Sequence, residues 1–217
     1  MKKILIIIAA LIITNNSFSQ GHQTEFEKKG TELVNTASSK IRAYKSLKID
    51  FTYEMENKTM EINEKMSGVI FSQGQKYYME VGDNVFISDG TTIWNYIDDL
   101  EEVQISNAAD AEGGLTPTAI LNDFEEHFKA TFIKQETYKG KKVDIIDLVP
   151  KVSQAFYKYR IALDAKDQMI VYSIAYDRHG GTFTYNLNNV QINPTIPAGK
   201  FVFDKNKFPD AFINDLR

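Results

Sequence analysis

The sequence predicts a mainly β fold of the α+β class: one strongly curved antiparallel sheet of about eleven strands, with an amphipathic helix in front and a short helical insertion in the middle. Three observations lead there. Apolar and polar residues alternate with period two through 48–106 and again through 141–192, the pattern of half-buried strands. The gaps between these runs are hairpin-length and carry turn residues, so successive strands should pair antiparallel. Phenylalanine and tyrosine number 14 and 11 against a single tryptophan, and aromatic side chains favour a pleated surface.

The first residues stand apart. Lys2 and Lys3 precede ten unbroken apolar residues, Ile4 to Ile13, and the segment closes on Ser17-Phe18-Ser19. That three-part plan is a secretory signal peptide over 1–19, with cleavage expected after Ser19. Ten apolar residues fall short of the roughly 20 that cross a bilayer as a helix. The rest, 20–217, has the length of one domain with a sizeable core.

Residues 24–44 place Phe26, Leu33, Ala37, Ile41 and Tyr44 at spacings that fit one helix face. The period then becomes two. Phe51, Tyr53 and Met55 alternate with Thr52, Glu54 and Glu56, and Tyr77, Met79 and Val81 alternate with Tyr78 and Glu80. The run Val85–Tyr96 reads as a hairpin turning at Asp89-Gly90, with Trp94 and Tyr96 on its second arm. After a small-residue loop over 107–115, Thr116 and Pro117 signal a helix start. Ile120, Leu121, Phe124 and Phe128 would form its apolar stripe. Strands return at 141–150, 155–164, 167–177 and 181–192, and a short one is expected at 200–204.

Composition and motifs exclude more than they suggest. The net charge is −4, and −6 once Lys2 and Lys3 are removed, which disfavours nucleic acid and anionic membrane surfaces as partners. There is no cysteine, hence no disulfide, no thiol ligand and no lipidated N-terminus. His22, His127 and His179 are not at metal-ligand spacing. A nucleophile elbow and a Gly-rich phosphate loop are both absent. No enzyme activity, cofactor or metal is expected. Asn57-Lys58-Thr59 matches a glycosylation acceptor, a pattern that often arises by chance.

The remaining signal is an excess of bulky apolar residues on sheet faces: Phe51/Tyr53/Met55, Tyr77/Met79/Val81, Trp94/Tyr96 and Phe183/Tyr185/Leu187. Two readings stay open. The plainer and favoured one is a compact core. The other notes that two helices are few for so large a curved sheet, which would then enclose space.

The order of segments resembles the periplasmic outer-membrane lipoprotein carriers, the LolA family, over roughly residues 24–210. YKSLKIDFTYEM is similar to that family's first strand, SGVIFSQGQKYYME to the next pair, and VFISDGTTIWNY followed by LEEVQIS to its aromatic hairpin. LTPTAIL resembles the start of a lid helix. YRIALDAKDQMIVYSIAYDRHGGTFTYNLNNVQIN and AGKFVFD resemble the closing strands.

The resemblance implies an unclosed β-barrel with a helical lid. It also implies a monomeric, soluble periplasmic carrier whose cavity shelters the acyl chains of lipoproteins between an inner-membrane ATP-driven extractor and an outer-membrane receptor. By strand parity and lid position, the implied cavity residues are Phe51, Tyr53, Tyr77, Met79, Trp94, Tyr96, Ile120, Leu121 and Phe124. Family members latch the lid with an Arg-Pro pair at a turn that here reads Gln73-Gly74-Gln75, so the latch is unassigned. The receptor of the same fold carries a cysteine after its signal, and this chain has Gln20 there. A lipid-sensing regulator and, less favoured, a hydrolase are the alternatives.

Overall fold

The structure, a computed structural model, describes residues 17–110, 124–153 and 155–217. The helix α1 (Ser17–Ala43) is followed by β1 (Leu47–Asn57), β2 (Ile62–Gln73), β3 (Lys76–Val81), β4 (Asn84–Ser88), β5 (Thr92–Ile97) and β6 (Glu102–Asn107). A single helical turn, α2 (Phe124–His127), leads into β7 (Phe128–Tyr138), β8 (Lys141–Pro150), β9 (Phe156–Asp164), β10 (Ile170–Asp177) and β11 (Gly181–Ile192). The short β12 (Phe212–Asp215) closes the chain. All twelve strands form one sheet, in the order β12-β6-β5-β4-β3-β2-β1-β11-β10-β9-β8-β7. Every pair is antiparallel except β12 with β6.

The expected curved antiparallel sheet is present, with one strand more than the sequence suggested. Bulges interrupt the β1–β11, β9–β10 and β7–β8 ladders, and each bulge adds bend and twist. Among the described residues β7 and β12 do not pair, so the sheet stays open.

The face that carries α1 is termed inner. Val34 and Ala37 of α1 are wholly buried, with Leu33 and Ile41 beside them, against Ile146, Leu148, Ile161 and Leu163. Gly30 sets the approach. A Cβ there would lie 2.7 Å from the Phe132 backbone nitrogen, so α1 rests directly on β7. Phe26 stacks on Phe132 with centroids 6.1 Å apart. At the other end, Lys40 Nζ donates to Asp167 O at 2.7 Å, fixing the helix to the β9–β10 turn.

Two local expectations change, and others fall outside the described residues. The helix expected to start at Thr116 and to carry Phe124 and Phe128 on its stripe is a single turn where described. Phe128, Ala130 and Phe132 instead alternate along β7 opposite Pro150, Leu148 and Ile146, because a strand partner with matching parity overrides helical spacing. Residues 200–204 form a turn rather than a strand. Residues 1–16 of the expected signal peptide, and Ile120 and Leu121 with the rest of 111–123, lie outside the described residues.

After β11 the chain crosses the opposite, outer face of β2–β6. Asn193 sets this path: its backbone N–H donates to Ser46 O at 2.8 Å and its side-chain carbonyl accepts from Lys45 N at 2.7 Å. Phe203 then stacks on Trp94 at 6.0 Å and Phe208 packs on Tyr96 at 4.5 Å. Lys200 Nζ lies 3.4 Å from the Tyr78 ring centroid.

Candidate functional site

The inner face is built by parity. Phe51, Tyr53 and Met55 of β1 stand opposite Leu187, Tyr185 and Phe183 of β11 on one side and Gly68, Met66 and Glu64 of β2 on the other. Continuing outward, Ile70 faces Met79, Met79 faces Phe86, and Phe86 faces Asn95. Through β10 and β9 the same face continues as Ser173 and Ala175, then Ile161 and Tyr159.

Part of this face is ordinary core. Phe51 and Met79 are only 1% and 2% exposed, enclosed with Leu47, Ile49, Ile70 and Val81. The Phe51 ring lies over Gly68, where an added Cβ would be 2.7 Å from Phe51 Cε1 and 2.5 Å from Glu80 O. Phe124 is likewise buried, among Val34, Ala37 and Phe128.

Beyond the reach of α1 the face stays apolar but only half-buried. Tyr53, Met55, Met66, Phe86, Phe183 and Tyr185 share this state with Phe156 and Tyr159. Their rings run as a band. Tyr53 and Tyr185 are 5.1 Å apart, Phe156 and Phe183 5.3 Å, Phe156 and Tyr159 5.7 Å, and Phe128 and Tyr159 5.5 Å. Burial raises the phenols of Tyr53, Tyr159 and Tyr185 above the usual tyrosine range, so the band is neutral at any physiological pH. Methionine and aromatic side chains offer broad, weakly directional contact to apolar guests.

The nine residues implied as cavity-lining therefore divide. Phe51, Tyr53, Tyr77, Met79 and Phe124 lie on the inner side, three of them packed as core. Ile120 and Leu121 lie outside the described residues. Trp94 and Tyr96 are a correction, for they point to the outer face. In β5 the inner positions are Ile93, Asn95 and Ile97, while Trp94 pairs with Ile87 and Ile105, and Tyr96 with Val85 and Val103. The outer face is apolar there because the 194–211 crossing covers it, a cover that local alternation does not reveal. Sequence reasoning also omitted Met66, Phe86, Phe156 and Tyr159 from the site. The alternation of Phe183, Tyr185 and Leu187 was visible, but its partners needed the register.

Among the described residues no group of three or more His, Cys, Asp or Glu side chains could hold a metal. The lowered carboxyl pKa values of Asp89 and Asp164 arise first from backbone N–H donors, of Thr92 and Lys166, in turns. Asn57 of the glycosylation-like triplet is 3% exposed, and its side chain accepts from Thr59 N at 3.0 Å. No helix among the described residues is long and apolar enough to cross a membrane.

Residues 42–204 match the family model described as outer membrane lipoprotein carrier protein LolA. An outer-membrane lipoprotein carrier protein of Legionella pneumophila (strain Lens) is 25% identical over 210 residues, covering 95% of this chain and 97% of the relative. A protein of the same description from Neisseria gonorrhoeae is 27% identical over 128 residues, covering 59% and 60%. Among solved structures, an uncharacterized conserved protein from Thermus thermophilus superposes with a TM-score of 0.57 at 10% identity, covering 86% of this chain and 99% of that one. That likeness concerns the fold alone.

Proposed function

Because the chain belongs to the outer membrane lipoprotein carrier (LolA) family, we propose that it carries lipoproteins across the periplasm, from the inner to the outer membrane, with their acyl chains held against the inner face of the sheet. The observation that supports this reading most is the half-buried aromatic and methionine band lying beyond α1 on an open sheet.

The physics of the task fits such a band. Each methylene removed from water gains about 0.8 kcal/mol, so a fully sheltered palmitoyl chain would gain roughly 12 kcal/mol. A carrier needs enough of this to keep cargo soluble and little enough to release it. Partial cover by an unclosed sheet lies between those limits. Loading and unloading then follow relative affinity, from an ATP-driven extractor in the inner membrane to an acceptor at the outer one. The N-terminal 19 residues act as the export signal, and the chain without cysteine has no thiol on which to be lipidated.

The test is native mass spectrometry of the protein purified from a periplasmic fraction, with and without added triacylated lipopeptide. A one-to-one complex, weakened by Tyr53→Glu or Met66→Glu and kept by the outer-face change Val149→Glu, is expected. A protein that takes up no lipopeptide refutes the carrier reading.

A further inference from the structure

The inner wall of β3–β5 is not uniformly apolar. The Tyr77 hydroxyl and the Asn95 side-chain carbonyl oxygen are both buried, and neither has a hydrogen-bond partner among the described residues. Register places them on one face. Tyr77 stands opposite Ser88 and Ser88 opposite Ile93, while Asn95 stands opposite Phe86 and Phe86 opposite Met79. The two residues are therefore in adjacent rows, two strands apart, a lateral separation of about 10 Å. Ser88, between them on β4, has a hydroxyl that accepts from Gly90 N at 3.1 Å and bonds neither of the two atoms.

Their needs are opposite. Burial raises the Tyr77 phenol to about 12, so at neutral pH it keeps its proton and seeks an acceptor. The Asn95 carbonyl oxygen seeks a donor. Hydrocarbon supplies neither, so acyl chains alone would leave both atoms orphaned, which buried polar groups rarely are. Where acyl chains join a polypeptide there are ester and amide carbonyls together with amide N–H groups. We propose that Tyr77 and Asn95 form a polar reading site for that linkage: Tyr77 donates to a carbonyl oxygen, and Asn95 accepts an amide N–H. The assignment rests on the carrier reading and gives it selectivity, since phosphatidylglycerol has ester carbonyls but no N–H.

The experiment displaces a naphthylamine dye from the delipidated full-length protein, either with a triacylated lipopeptide or with short-chain phosphatidylglycerol. If neither displaces dye from the wild type, the carrier reading fails. If both do, the variants decide. Tyr77→Phe should weaken both ligands about 5- to 10-fold, the worth of one hydrogen bond. Asn95→Leu should weaken the lipopeptide about 10-fold and leave phosphatidylglycerol unchanged. Asn95→Val stands in if the leucine variant does not fold. The melting temperature of the free protein should hold or rise in each variant, because an unsatisfied polar atom is removed. Unchanged affinities, equal losses for both ligands in the Asn95 variant, or a lowered melting temperature with affinity intact would each overturn the assignment.

Discussion

Gly68→Ala tests how tightly the centre of the inner face is packed. The new Cβ would meet Phe51 Cε1 at 2.7 Å and the Glu80 carbonyl oxygen at 2.5 Å, both inside ordinary contact distance. The ring can turn away only into a cluster in which Phe51, Ile49, Ile70 and Met79 are at most 2% exposed. The carbonyl belongs to β3 and moves only with its ladder. Overpacking of this kind costs about 1–3 kcal/mol, while alanine recovers about 0.4–1 kcal/mol of unfolded-chain entropy. A net loss of about 1–2 kcal/mol is expected, which for a chain of this size lowers the melting temperature by roughly 2–8 °C. Urea unfolding followed by the fluorescence of Trp94, on the other face, reads it as a lower midpoint. Pairing the change with Phe51→Leu should restore part of the loss, giving a non-additive cycle. A Gly68→Ala protein as stable as the wild type, or a strictly additive double variant, would show that the ring does not lie over the glycine.

Gly30→Val should lift α1 from β7 and cost about 1–3 kcal/mol, seen as faster amide exchange in β7. Phe203→Ala removes the ring stacked on Trp94 and should red-shift the tryptophan emission and destabilise by about 1–3 kcal/mol, while lipopeptide affinity stays unchanged because the stack is on the outer face. The Asp89 and Asp164 carboxyls titrate below their ordinary value of 3.8. A depressed folded value means that their stabilisation is complete above the unfolded pKa and is lost as pH falls through the folded one. The melting temperature should therefore drop as pH falls below the ordinary carboxyl value of 3.8, and Asp89→Asn should flatten that slope.

The fold was legible where a pattern is local. The alternation around Phe51, Tyr53 and Met55, and the turn residues Asp89 and Gly90, specify β1 and the β4–β5 hairpin without help from distant residues. Legibility ended where a distant segment decides. Phe124, Phe128 and Phe132 fit helical spacing while Phe128, Ala130 and Phe132 fit strand spacing, and only β8 resolves the ambiguity. Phe212–Asp215 is four residues long and pairs parallel with β6, a partner more than a hundred positions away. The site shows the same division. Tyr53 and Tyr77 followed from parity, whereas Trp94 and Tyr96 needed knowledge that Phe203 and Phe208 return to cover them. The unpaired state of the Tyr77 hydroxyl and Asn95 carbonyl is invisible to any sequence pattern.

The position of β1 carries a mechanical consequence. It is the spine of the sheet, joined to β2 on one flank and β11 on the other, and each flank continues outward as its own run of ladders. Those runs meet nowhere else in the ladder order, so apart from β1 it is α1 that ties them, with Ile41 packed against the core clusters of both flanks. Any change in the spread of the two flanks would therefore be felt first at Ile41, the hinge pin shared by both core clusters.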